Sequence, residues 1–128
     1  MNSSAVDHRD TVARLITAVE RRDLTVFARF DHAELARGAH LDLAPLEVVV
    51  FGNPAAGTPL MRSDPRVGIE LPLRMLVWVD DAGEVLVGYD DPRELADRYD
   101  LDGRRAVLDR MAALLAEVAA EAAAEVPK

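Results

Sequence analysis

Apolar side chains recur along this chain at two spacings. Val12, Leu15, Ile16 and Val19 stand at i, i+3, i+4 and i+7, one face of a helix. Asp10 or Thr11 is placed to cap its first turn. Arg21 and Arg22 close its last, where the helix dipole favours cations. A second helical stripe, Val107, Leu108, Met111, Leu114, Leu115, Val118 and Ala122, predicts a long helix from Arg104 onward. Between the two, the period shortens. Residues 24–30 are β-branched and aromatic, which predicts a strand with Val26, Ala28 and Phe30 on one face and Thr25, Phe27 and Arg29 on the other. Residues 47–51 form a continuous apolar run, the mark of a buried strand. Residues 73–80 cluster their apolar positions (Leu73, Met75, Leu76, Val77, Trp78, Val79) rather than alternating them, which predicts a strand covered on both faces. Asp81-Ala82-Gly83 then turns the chain into residues 84–89, the second strand of a hairpin.

Caps and breakers divide the rest. Asp31 with Glu34 three residues on has capping-box spacing, so a short helix runs from there to about Arg37, with Gly38 at its end. Gly52-Asn53-Pro54 stops the 47–51 strand, and Thr58-Pro59 reads as a helix start ended by Asp64-Pro65. Asp91-Pro92 with Glu94 repeats the cap for a helix to about Tyr99, which Asp102-Gly103 interrupts. A weak first strand is expected within residues 4–8. Hairpins with segregated helices imply an α+β domain, an antiparallel sheet with helices packed on one face.

A length of 128 residues allows one domain, with a core over about 10–118. Residues 119–128 form an Ala/Glu-rich helical tail. It is expected to fray, because Glu117, Glu121 and Glu125 oppose the dipole at the helix end. Lys128 is the sole lysine among many arginines and alanines, as in GC-rich bacterial genomes. A net charge of -8 disfavours a phosphate backbone or an anionic membrane surface as partner. No cysteine is present, so thiolate chemistry and disulfides are excluded. No apolar stretch resembles a signal peptide or a membrane span, so a cytoplasmic location is expected.

Candidate chemistry is sparse. His8, His32 and His40 offer no i, i+4 pair for a metal, and no metal or other cofactor is expected. Nine acidic side chains lie between 80 and 102 against two arginines, yet Asp100-Leu101-Asp102-Gly103 lacks the remaining ligands of a calcium loop. Ser3, Ser4 and Ser63 are the only serines and none sits in a nucleophile elbow; no Gly-rich phosphate loop follows a strand. The distinctive feature is a set of polar and aromatic residues at strand ends: Asp31-His32, Gly52-Asn53-Pro54 and Tyr89-Asp90-Asp91-Pro92. If the sheet brings these ends together, Asp31, His32, Asn53 and Asp91 form a polar rim with Trp78 or Tyr89 as an aromatic wall.

Several phrases carry a family resemblance when taken in order: Thr11 to Leu15, Leu24 to Ala33, Phe51-Gly52-Asn53-Pro54 with Gly57 to Met61, Leu71 to Trp78, and Val87 to Pro92. From Asp10 to Leu115 the chain resembles the bacterial and archaeal family called domain of unknown function 302. The resemblance implies a β-α-β(4)-α order, similar in outline to TATA-binding-protein-like folds, and a homodimer. It implies no activity, and the acidity of this chain argues against carrying over DNA binding. Phe30 stands where Ile is more usual, and Gly52 stands where some relatives have Cys. The resulting expectation is a dimeric, non-enzymatic module that binds a small molecule or a protein partner through its strand-end loops. The alternative is a small hydrolase or isomerase using His32 with Asp31 or Asp91.

Overall fold

A computed structural model describes residues 1–124. Five strands, β1 (Asn2–Ser3), β2 (Thr25–Asp31), β3 (Leu46–Gly52), β4 (Leu73–Val79) and β5 (Val85–Gly88), form one sheet in the order β1-β5-β4-β3-β2. Every neighbouring pair is antiparallel. Two long helices, α1 (His8–Arg21) and α5 (Arg105–Ala123), supply the covering layer. Shorter helices α2 (His32–Gly38), α3 (Pro54–Ser63) and α4 (Leu95–Arg98) fill the connections. The fold is α+β, in β-α-β(4)-α order with α2 and α3 inserted between strands.

The core lies between one sheet face and these helices. Val49, Phe51, Met75, Val77 and Val87 point inward from the sheet and are fully buried. They meet Leu15, Ala18 and Val19 of α1 and Leu115, Val118, Ala119 and Ala122 of α5. Alternation along β3 sets this up, since every second residue of a strand faces the same side.

Several boundaries differ from expectation. The first strand is Asn2–Ser3, not within 4–8, because its two residues complete the β5 edge at Val87 and Leu86. Asp7, rather than Asp10 or Thr11, caps α1; its carboxylate accepts the Asp10 N–H at 2.8 Å. Thr11 is buried one turn in, and its hydroxyl donates to the Asp7 carbonyl at 2.7 Å. Helix α3 starts at Pro54, not at Thr58-Pro59, because Asn53 supplies the cap and Pro54 fits the first turn. Pro59 therefore lies inside α3, beside a Thr58 hydroxyl that donates to the Pro54 carbonyl at 2.7 Å.

The expected face pattern of β2 is broken. Val26 pairs with Phe51 but Ala28 pairs with Val50, so Phe27 is an extra residue, a β-bulge. Val26 thus joins the inner face, whereas Ala28 and Phe30 join the outer one. At the other end of the chain, the stretch expected to fray from 119 is helical to Ala123, with Ala119 and Ala122 fully buried. Arg21 and Arg22 of α1 bond Glu121 at 3.1 Å each, and Arg22 lies 3.7 Å from Glu117, offsetting the dipole at that helix end. Residues 125–128, including Glu125, lie outside the described residues.

Candidate functional site

Antiparallel register decides which strand ends can meet. Asp31 pairs with Glu47, and Leu46 with Trp78, so Asp31, His32 and Trp78 share one end of the sheet. Thr25 pairs with Gly52 and Phe51 with Leu73, so Asn53 leaves from the opposite end. Gly88 pairs with Leu76, and the chain runs on past it toward that same second end, carrying Tyr89 and Asp91 away from His32. The single polar rim expected from the sequence does not form, because consecutive antiparallel strands deliver their exits to alternate ends.

At the first end, the Asp31 carboxylate accepts the Glu34 N–H at 3.0 Å and caps α2, whose first residue is an exposed His32. The buried Glu47 carboxylate is held by Arg29 Nε at 2.9 Å. Asp91 lies beyond the other end and is gripped by Arg93 through Nη2 at 2.6 Å and Nε at 3.0 Å. These bonds hold its carboxyl below the usual carboxylate range. His32 and Asp91 therefore cannot reach one substrate atom, and Asp31 gives one carboxylate oxygen to its cap. Among the described residues, no three His, Asp or Glu side chains are grouped as a metal ion would require.

The second end holds a cavity of about 200 Å³. Gly52, Asn53 and Gly57 line it from the β3–α3 junction, Phe27 from the bulge, Leu71 and Pro72 from the approach to β4, and Met111 and Leu114 from α5. Asn53 contributes little polarity to the lining, and its carboxamide oxygen is engaged by the Ala55 N–H at 2.9 Å. Sequence reasoning found Asn53 but missed Phe27, Leu71 and Met111 as lining residues. Only the bulge turns Phe27 toward them, and a one-residue insertion in a strand leaves no periodic trace.

A polar corner fixes the segment behind this cavity. Asp64 is 5% exposed and accepts from Arg66 Nε at 3.0 Å, Arg66 Nη2 at 2.7 Å and the Asp100 N–H at 2.9 Å. The Arg66 bonds chiefly, then the Asp100 N–H, hold its carboxyl well below the usual range. Tyr99 donates to Glu70 at 3.0 Å, with Arg66 and Arg98 over its ring at 5.9 and 5.8 Å. Burial, and then the Glu70 carboxylate, push its hydroxyl pKa up.

The outer sheet face is apolar and lies opposite the face that α1 and α5 cover. Ala28, Leu46, Val48, Val50, Leu76 and Leu86 are half-buried there, and Phe30 is 47% exposed. Trp78 lies flat across Gly88: a Cβ at that glycine would stand 2.9 Å from Trp78 Cζ3. Arg74 and Asp90 border this surface. Tyr89 lines the same surface beside Trp78 and also packs against the buried core.

A one-sided antiparallel sheet with an apolar outer face and an apolar end cavity defines a small α+β domain. The chain belongs to the family described as domain of unknown function DUF302, whose model matches residues 1–118. A crystal structure of an uncharacterized conserved DUF302 protein from Bacillus stearothermophilus superposes with a TM-score of 0.84 over 94% of each chain, at 18% identity, which shows the shared fold. Over 92 residues, 72% of its length, the chain is 39% identical to the fluoride-specific ion channel FluC 1 of Brucella suis biovar 1 (strain 1330). The same identity holds for FluC 1 of Brucella abortus biovar 1 (strain 9-941). The match spans 36% and 34% of these two proteins, about a third of the curated relatives' length. Among the described residues of the present chain, no helix is long and apolar enough to cross a membrane.

Proposed function

We propose that this protein is a homodimeric, non-enzymatic binding module whose two copies meet through the outer sheet face, with a ligand taken up at the Asn53 end. One observation carries the reading: the outer face is built from Val48, Val50, Leu76, Trp78 and Leu86 although α1 and α5 both pack against the opposite face. A solvated antiparallel sheet face is ordinarily polar, so apolar residues at these positions call for a cover. A second copy fits best. With a net charge of -8, two copies repel except where charge is lowest, and, besides Glu84 bonded by Ser3 at a far corner, the described charges on this face are Arg74 and Asp90 at one margin. Arg74 and Asp90 are opposite in sign and so self-complementary about a two-fold axis. The separation of His32 from Asp91 favours binding over the hydrolase or isomerase alternative. The Brucella relatives support a modular role, since a stretch like this chain makes up about a third of each longer protein.

Sedimentation equilibrium tests the reading. The native protein is expected to sediment as a dimer, and Leu76→Asp as a folded monomer, because two buried carboxylates would face each other across the axis. A native monomer at high micromolar concentration would overturn it.

A further inference from the structure

The end cavity has a shape and chemistry that select a ligand class. None of the described residues that line it is ionisable: Phe27, Met61, Leu71, Pro72, Met111 and Leu114 supply the walls, and Gly52 and Gly57 the floor. A charged ligand would lose its hydration there with no partner to replace it. At about 200 Å³ the space exceeds the roughly 150 Å³ of a dry engineered cavity that takes up benzene, yet it is too small for a helix or a peptide side. Two further observations point to a site kept open. Phe27 is 49% exposed and Met61 38% exposed at the mouth, apolar groups that a seated ligand would shield. Gly57 is buried inside α3, where glycine is a poorer helix former than alanine. A Cβ there would sit 3.5 Å from Leu71 Cδ1 and 3.9 Å from Met61 Cε, ordinary contact distances, so a methyl would fit without strain while taking up cavity space. The two methionines, with soft and unbranched side chains, can adapt to rings of different outline.

We infer that this cavity binds a neutral, ring-sized apolar molecule, a single aromatic ring or a carbocycle of similar bulk, lodged against Phe27 between Met61 and Met111. The inference names the ligand class of the binding module proposed above, at its Asn53 end. Toluene is the probe, with benzoate as its charged counterpart, and binding is read by amide NMR shifts and thermal unfolding of the full chain. Toluene is expected to shift amides of residues 52–57 and 71–73 and to raise the Tm by about 5 °C at ten times its Kd. Benzoate at equal concentration is expected to do neither. Gly57→Leu fills the space from a helix-favouring residue and should abolish both effects. Phe27→Ala, at a half-exposed position outside the core, should weaken toluene at least tenfold. Toluene shifts absent from the native chain, unchanged in both variants, or matched by benzoate would overturn the inference. Sedimentation of the native chain alongside its toluene titration separates the two readings. Toluene binding by a native chain that sediments as a monomer defeats the dimer and leaves the ligand class standing, whereas a native dimer blind to toluene defeats the ligand class alone.

Discussion

Strand β3 puts the same residue type in two situations. Val49 faces the helices and is fully buried, while Val48 and Val50, its neighbours in sequence, face away and stay half-exposed. The contrast extends across β4, where Met75 and Val77 point inward and Leu76 and Trp78 outward. An unbroken apolar run therefore states that both faces of a strand avoid water, but not that one chain provides both covers. The inner face takes its cover from α1 and α5; the outer face has neither helix over it.

The sharpest test of this contrast is on the inner side. Phe51→Ala, at a fully buried position, should lower stability by about 3–5 kcal/mol in urea unfolding, independent of protein concentration. Next comes a matched pair of substitutions. Val49→Thr strands a hydroxyl in the core and should cost about 1–3 kcal/mol. Val50→Thr should leave a monomeric chain within about 0.5 kcal/mol of the parent, because threonine suits a half-exposed strand. Equal losses from the two would erase the distinction between the faces. The smallest effect concerns acid. Asp64, depressed by Arg66 and the Asp100 N–H, favours the fold at every pH above the ordinary carboxylate value of about 3.9, and that contribution fades as pH falls below it. Asp64→Asn should flatten the acid limb of stability against pH below about pH 4. Dimerisation, resting on the apolar centre of the outer face and losing only the marginal Arg74–Asp90 complementarity in acid, should weaken little before the fold itself gives way.

Much of the architecture was legible because it is written in periodicity. The α1 and α5 stripes, the 47–51 run, the hairpin turning at Gly83 and the Asp31 and Asp91 caps all rest on local signals, and each is found in the fold. Three features were not legible. Asp7, Asp10 and Thr11 are all competent caps within five residues, and nothing local ranks Asp7 first. The Phe27 bulge depends on how β2 docks on β3, a pairing that nothing local specifies. The strand-end rim failed for the same reason at larger scale: each corner was read correctly as a turn or cap, but which corners meet is a property of register. His32 and Asn53 are 21 positions apart in the chain and belong to opposite ends of the sheet.

The chain contains one tryptophan, and its indole lies on the outer face across Gly88. The protein thus carries its own optical reporter at the surface in question, with no competing fluorophore of that kind in the core. Emission from Trp78 should shift to the blue and resist iodide quenching as protein concentration rises through the association range. Gly88→Val, by lifting the ring off the strand, should send that signal the other way while the far-ultraviolet dichroism stays native.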